Sequence, residues 1–306
     1  DPIMALLQYA KDTQVPIISS SAGTQALDEA GGTGTYIYRT NAADSFLGVA
    51  YAKVILDTLG HKEVVVLVEN SEGTMSAAET FTKNFERFGG KITKTVTVSP
   101  GQNVYYNELK DVNKSNPDIV FMAVSQVTGV NIAKQAYQQG YTWQWCVTTD
   151  LQTDDFVNAA GKGVTEGIIA LVPGQIEEED TWQRFSKLFE AKIGEKPQAG
   201  WYQAETYDAF ITSALAMVAA GKTDGTGVDS NLINVSAPGG TIVKSFAEGV
   251  AALKRGEAID YEGASGNLNF NKFGNVAVPA VRLLKVDQND QWSVMKIINS
   301  REFPPS

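Results

Sequence analysis

The chain has 306 residues, of which 43% are hydrophobic and 20% are charged, a composition suited to two ordinary globular domains. Its net charge of −10, without any block of basic residues, excludes nucleic acid and anionic membrane surfaces as expected partners. The single cysteine, Cys146, and the single histidine, His61, exclude an intrachain disulfide, a Cys/His zinc cluster and most catalytic triads.

The first predicted elements form a candidate binding turn. Asp1 followed by a proline predicts a helix N-terminus, and a strand at 15–19 then leads into the small residues S-S-A-G-T at 20–24. A strand that ends this way leaves backbone N–H groups free at the carboxyl edge of a sheet, where ligands bind in open α/β folds. The turn is therefore a candidate ligand-binding element.

Strands and helices alternate as far as residue 172. Apolar runs such as V-V-V-L-V at 64–68 are typical of strands buried on both faces of a parallel sheet. Amphipathic helices lie between them, each followed by a glycine that predicts a helix end. We therefore predict an α/β fold with strands at 36–40, 63–68, 91–98, 118–124, 144–148 and 167–172, and helices at 44–59, 78–88, 130–137 and 153–160.

The pattern changes after Pro173. An acidic loop at 177–180 precedes the predicted helices, and a region rich in Gly, Thr and Asn at 221–241 is predicted to be a loop. The C-terminal part is predicted to be β-structure with a closing hairpin. The predicted helices are at 181–193, 199–220 and 242–253, and the predicted strands are at 266–270, 276–286 and 292–298.

Seven segments, in order along the chain, resemble the type I periplasmic solute-binding proteins of ABC importers, in the leucine/isoleucine/valine-binding branch. No single one of them is specific, but together they span most of the sequence. They are I-I-S-S-S-A-G-T at 17–24, Y-I-Y-R-T-N-A-A-D at 36–44, V-V-V-L-V-E-N at 64–70, K-Q-A-Y-Q-Q-G-Y at 134–141, A-A-G-K-G-V-T-E-G at 159–167, Y-D-A-F at 207–210 and Y-E-G-A-S-G-N-L-N-F-N at 261–271.

This resemblance implies two doubly wound α/β lobes joined by crossover strands, with one small solute held between them. Lobe 1 would comprise 1–40 and 174–275, and lobe 2 would comprise 41–173 and 276–306. The family normally has two further β–α units before the segment that opens this chain, so we expect an incomplete first lobe with an exposed sheet edge. The chain is then either a fragment or the partner of a missing N-terminal segment.

The resemblance also implies the residues of the binding site. The turn formed by Ser21, Ala22, Gly23 and Thr24 matches the family's carboxylate-binding turn, where backbone N–H groups and a threonine hydroxyl hold an anion. From the residues alone, an ordinary Ser/Gly-rich loop is the alternative interpretation.

On the second lobe, the matching positions follow three successive strands. They are Gly73 and Thr74, Ser125 and Gln126, and Thr149 and Asp150. The first two loops lack the tyrosines that are usual in the family, which argues against a simple aliphatic ligand and favours a more polar one. The alternative role for Asp150 is a charge near the N-terminus of the helix predicted at 153–160.

Two tryptophans that flank Cys146 have two interpretations. Trp143 and Trp145 would form the wall of an aromatic pocket, or they would simply pack at the edge of a strand. Cys146 itself is expected to be a buried, small apolar residue.

The function implied by the resemblance is capture of an amino acid, or of a related polar or carboxylate solute, for delivery to the membrane subunits of an ABC importer. The expected location is the periplasm or the cell envelope, with a lipid anchor left open, and no cofactor or metal is expected. A sensor of the same fold with an amide, urea or aromatic-acid ligand is the alternative. An enzyme is disfavoured because no nucleophile–base pair and no nucleotide-binding motif occurs in the sequence. The sequence does not name the solute.

Overall fold

The computed structural model describes residues 2–198 and 201–304. Asp1, the predicted N-cap, and residues 199 and 200, at the predicted start of a helix, lie outside this range. Within it, the α-helices are α1 (Pro2–Ala5), α2 (Leu7–Thr13), α3 (Asp44–Lys53), α4 (Glu72–Arg87), α5 (Tyr106–Asn113), α6 (Gln126–Gln138), α7 (Asp154–Ala160), α8 (Asp180–Ile193), α9 (Gln203–Ala220), α10 (Gly225–Leu232) and α11 (Phe246–Lys254).

The strands of the described residues alternate with these helices, which confirms the predicted α/β class. They are β1 (Ile17–Ser19), β2 (Ile37–Arg39), β3 (Glu63–Glu69), β4 (Lys91–Val98), β5 (Ile119–Ala123), β6 (Gln144–Val147), β7 (Ile169–Gly174), β8 (Thr241–Val243), β9 (Ile259–Gly263), β10 (Gly266–Asn267), β11 (Ala280–Val286) and β12 (Trp292–Asn299). No helix of the described residues has the length and apolarity needed to cross a membrane.

The chain divides into two compact units. Unit 1 consists of Asp1–Ala43 and Pro173–Ala280, and unit 2 consists of Asp44–Val172 and Val281–Ser306. The change of pattern seen after Pro173 in the sequence coincides with the return of the chain from unit 2 to unit 1. The correspondence of these units to the lobes of a binding protein stays a prediction.

Unit 2 is built on a seven-stranded sheet with the order β12-β11-β7-β6-β5-β3-β4. The strands β4, β3, β5, β6 and β7 are parallel, with Val65 opposite Val120 and Val120 opposite Trp145. Val65 and Leu67 pack into one apolar core while Val66 and Val68 pack into another. Because successive side chains of a strand point to opposite faces, the central strands are buried on both sides, as their apolar runs predicted.

Unit 1 contains two smaller sheets. Strands β1 and β2 pair in parallel, and β10, β9 and β8 form a three-stranded sheet in that order. The main core of unit 1 contains residues of α9, α10 and β9. Among them are Leu215, Leu232 and Tyr261, which are almost fully buried.

Two predictions about unit 1 are wrong. The predicted loop at 221–241 contains α10, whose N-terminus is capped by the Asp224 side chain accepting the Gly227 N–H at 2.7 Å. The predicted helix at 242–253 begins only at Phe246, because Ile242 and Val243 belong to β8 and pair with β9. In both cases tertiary packing outweighs local composition: Val228 and Leu232 are buried against the core, and the short β-branched run completes a sheet.

Smaller differences concern the bounds of the elements. The helix predicted at 44–59 is α-helical only to Lys53 and continues as a π-helical turn, Val54–Thr58. The strand predicted at 266–270 is reduced to β10, whereas β9 was not predicted.

Candidate functional site

The predicted carboxylate turn of unit 1 follows β1 and is held by its own side chains. Ser19 Oγ accepts the backbone N–H of Ser21 at 3.3 Å and that of Ala22 at 2.9 Å. The expectation that the strand end leaves these two N–H groups free is therefore not met, since a ligand carboxylate would have to replace Ser19. Thr24 is buried, and its Oγ1 accepts the Ala26 N–H at 3.4 Å, which leaves its own proton for donation.

A buried arginine holds the other side of this turn. Arg39 is 1% exposed, and its Nη1 lies 3.4, 2.9 and 3.1 Å from the carbonyl oxygens of Ala22, Gly23 and Thr24. Its Nη2 pairs with Asp28. Three successive carbonyl groups thus face the guanidinium, and the backbone conformation of the predicted binding turn is fixed from within unit 1.

The predicted residues of unit 2 lie at the carboxyl edge of its seven-stranded sheet. Ser125 follows β5, and both its N–H and its hydroxyl donate to Oε2 of Glu69, at 3.2 and 2.7 Å. Glu69 is the last residue of β3 and is 3% exposed. A buried carboxylate that accepts two hydrogen bonds therefore marks this edge.

A second acid lies at the same edge. Asp150 is in the 3-10 turn Thr149–Leu151 that follows β6. The surrounding protein displaces water from its carboxyl group, and the charge of Glu69 adds repulsion. Together they raise the pKa of Asp150, against an opposing hydrogen bond from Thr148, although Asp150 lies in an exposed position. Thr149, in the same turn, is half-buried.

The remaining predicted residues begin helices at this edge. Thr74 is buried in the first turn of α4, where its Oγ1 donates to the carbonyl oxygen of Glu69 at 2.6 Å, and it thus helps to end β3. Gly73 is exposed, and a Cβ placed there would meet no atom within 4 Å. Gln126 is the half-buried first residue of α6.

Two residues of this arrangement were not predicted as site residues, although the sequence carries a signal for each. Glu69 directly follows the apolar run V-V-V-L-V, and Arg39 directly follows Y-I-Y. A charge at the end of a buried strand needs partners, and those partners mark a polar edge of the sheet. That reasoning would have found both residues.

The comparisons with known proteins agree with this architecture. A family profile described as periplasmic binding protein matches residues 1–291. The chain belongs to the periplasmic binding protein family. No curated protein matches the chain.

Solved structures of solute-binding proteins share the fold. The leucine-binding protein LivK of Thermotoga maritima superposes with a TM-score of 0.81 at 20% identity, over 98% of this chain and 77% of that one. LivJ of Streptococcus pneumoniae in complex with isoleucine superposes with a TM-score of 0.77 at 18% identity, over 97% of this chain and 76% of that one. A solute-binding protein of R. palustris in complex with benzoate superposes with a TM-score of 0.75 at 17% identity, over 97% of this chain and 74% of that one. The chain thus has the type I periplasmic binding protein fold, as the resemblance implied.

Proposed function

We propose that this member of the periplasmic binding protein family captures an amino acid, or a related small polar solute, outside the cytoplasm and delivers it to an ABC importer. The observation that carries the choice of solute is the pair of acids at the carboxyl edge of the unit 2 sheet, Glu69 and Asp150. Two neighbouring carboxyl groups favour a ligand with an ammonium or other donor-rich group, because such a group would offset the burial and the Glu69 charge that together raise the pKa of Asp150.

The turn of unit 1, taken by itself, favours a carboxylate on the ligand. The Thr24 hydroxyl retains its proton for an acceptor, and Arg39 fixes the carbonyl groups of the turn on its own side. A solute with both groups is a zwitterion, the charge pattern of an α-amino acid. Solved neighbours include complexes with isoleucine and with benzoate.

Because the loops of unit 2 lack the tyrosines that are usual in the family, we expect a solute more polar than a branched-chain amino acid. At the edge of unit 2, Ser125 and Gln126 stand at the position of one such aromatic residue, and Gly73 and Thr74 stand near the other. Hydroxyl and amide groups at a binding site favour ligands that can hydrogen-bond to them and disfavour ligands that cannot.

A calorimetric screen of the 306-residue chain tests this proposal, with panels of amino acids, aromatic acids and small amides. We expect one class that carries both an ammonium and a carboxylate to bind with a dissociation constant near or below about 1 μM, or about −8 kcal/mol. Asp150→Asn should weaken that binding by about tenfold or more, because it removes the carboxylate partner of the ammonium.

The matched control is Asp155→Asn, which changes an exposed acid of α7 near the same edge. It should bind the solute like the unmodified chain. The proposal is wrong if no solute binds below millimolar concentration, or if the two variants lose affinity equally.

A further inference from the structure

Unit 2 contains a cavity at the edge of its sheet opposite to Glu69 and Asp150. The cavity has a volume of about 660 Å³ and is lined by residues that precede or begin β6 and β7, and by the end of β11. Since β5, β6 and β7 are parallel, this is the amino edge of those strands, whereas Ser125 and Asp150 follow their carboxyl ends. The cavity is therefore separate from the residues of the proposed function.

Aromatic side chains form one wall of this cavity. The ring of Tyr141 stacks on Trp143 with centroids 4.5 Å apart and planes 18° apart, and Trp145 meets Trp143 edge-on at 5.6 Å. Both tryptophans are 8% exposed, whereas Tyr137 is 59% exposed. The tryptophans therefore pack in the core, as one interpretation of the sequence expected, while the tyrosines present aromatic surface to the cavity.

One polar group in this wall has no partner. The buried indole N–H of Trp143 meets no hydrogen-bond acceptor among residues 2–198 and 201–304. Buried donors are nearly always paired, and an unpaired one destabilises the folded protein. A ligand acceptor that reaches this N–H would satisfy it.

Opposite charges lie on the rim without pairing. Lys285 and Glu166 both line the cavity and are exposed, and neither forms an ion pair with any described residue. Lys285 lies against Gly167, next to Glu166, with its Cε 4.0 Å from the Cβ position of that glycine. The carboxylate of Asp287, by contrast, is occupied by the backbone N–H groups of Asn289 and Gln291, at 2.8 and 3.0 Å.

We propose that this cavity is a second binding site, for a small zwitterion with an aromatic ring, the chemical class of the aromatic α-amino acids. The ring stacks on Tyr137 and Tyr141, the ammonium pairs with Glu166, and the carboxylate pairs with Lys285 and with the N–H of Trp143. A simple anion leaves Glu166 unpaired, and a simple cation leaves Lys285 unpaired. The site does not depend on the proposed function.

The test uses L-phenylalanine as the probe, with tryptophan emission and calorimetry as readouts. We expect saturable binding with a change in emission, because Trp143 stacks on Tyr141 and Trp145 contacts Trp143. The variants Lys285→Met and Glu166→Gln should each weaken binding by about tenfold. Two truncated probes, 3-phenylpropanoate without the ammonium and 2-phenylethylamine without the carboxylate, should bind about tenfold more weakly than L-phenylalanine.

The matched control is Lys296→Met, an exposed lysine of β12 outside the cavity lining, which should bind the probe normally. The proposal fails if Lys285→Met behaves like this control, if both truncated probes bind as tightly as L-phenylalanine, or if the probe does not bind at millimolar concentration. Asp150→Asn separates the two sites. If it abolishes phenylalanine binding while Lys285→Met does not, the probe occupies the site of the proposed function and the cavity proposal is wrong.

Trp143→Phe provides a second readout that does not rely on affinity alone. It removes the unpaired N–H and keeps most of the ring, so we expect the melting temperature to stay within a few degrees of the unmodified chain. Affinity for L-phenylalanine should fall several-fold. Unchanged affinity in a folded variant would show that the indole N–H is not part of the site.

Discussion

A few buried polar side chains in unit 1 each organise several backbone groups. The carboxylate of Asp208 is fully buried, and its two oxygens accept four hydrogen bonds, from the hydroxyl of Tyr261 at 2.8 Å, from the N–H of Ala264 at 3.1 Å, and from the N–H and hydroxyl of Ser265 at 2.7 and 2.6 Å. Burial raises the pKa of Asp208 and these hydrogen bonds oppose that effect. Asp208 therefore ties α9 to the turn that links β9 and β10.

Replacing this carboxylate tests its structural role. Asp208→Asn presents an amide NH₂ to donors, leaves at least one buried group unpaired, and should lower the free energy of unfolding by about 2–4 kcal/mol. Urea denaturation measures the change. The exposed acid Asp118 offers the control, since Asp118→Asn should stay within about 0.5 kcal/mol. A loss of less than about 1 kcal/mol for Asp208→Asn would contradict this role.

The guanidinium of Arg39 leads to a prediction about the binding turn. Arg39→Lys keeps the charge but loses the planar fork that reaches three carbonyl groups and Asp28. We expect a loss of about 2 kcal/mol and faster hydrogen exchange in residues 19–28, measured by mass spectrometry. The exposed Arg301→Lys should change neither quantity. Equal exchange in the two variants would mean that Arg39 does not hold the turn.

Glu205 makes the stability of unit 1 depend on pH. It is 3% exposed, and burial, followed by the charge of Asp208, raises its pKa from 4.5 to about 7, against an opposing hydrogen bond from Gln175. Between these values the folded state keeps a proton that the unfolded state releases. Its contribution to stability therefore falls as pH rises from 4.5 to about 7, by up to about 3 kcal/mol, and is constant above that.

Glu205→Gln removes this contribution. In denaturation curves at pH 5, 6, 7 and 8, the variant should lose less stability with rising pH than the unmodified chain. Glu178→Gln, in an exposed loop, should leave the pH dependence unchanged. Parallel curves for Glu205→Gln and the unmodified chain would rule out the proposed linkage.

At the scale of elements, two helical glycines separate the effect of close helix packing on stability from the effect of helix propensity. A Cβ on Gly48 of α3 would lie 2.5 Å from the backbone carbon of Thr80 in α4, whereas a Cβ on Gly73 of α4 would meet nothing within 4 Å. Gly48→Ala should therefore force these helices apart and cost about 2 kcal/mol. Gly73→Ala should stabilise the chain by about 0.5–1 kcal/mol through helix propensity. Thermal unfolding measures the stability of both variants. If both substitutions changed the melting temperature in the same direction, the packing explanation for Gly48 would be wrong.

Elements whose pattern is local were predicted well, and those that depend on partners were not. The strands β3, β4 and β5 and the helix α8 were placed to within about two residues, because apolar runs and glycine ends are read from neighbouring residues. The helix α10 and the strand β8 were missed. Their sequences are weak by themselves, and it is contact with α9 and β9 that stabilises them.

For the whole molecule, solute binding should stabilise the chain by mass action. A solute present at about one hundred times its dissociation constant adds about 2.7 kcal/mol to the free energy of unfolding, which raises the melting temperature in a concentration-dependent way. Differential scanning fluorimetry measures this shift with the solute found by calorimetry. Asp150→Asn should reduce the shift at equal solute concentration, whereas Asp155→Asn should not. An equal shift in both variants would place the solute away from Asp150.

The sequence by itself determined the α/β class, the order of most elements, the change of pattern at Pro173 and the family resemblance, because each depends on local pattern or on the order of motifs. It also pointed to the strand ends that carry Ser125 and Asp150. Only the tertiary structure decided that Ser125 donates to Glu69 across 56 residues of chain. It also decided that the Ser19 hydroxyl oxygen accepts the N–H of Ala22, and that Arg39 donates to the carbonyl groups of the same turn. These contacts depend on sheet register and on the close approach of distant segments, which no local pattern of residues specifies.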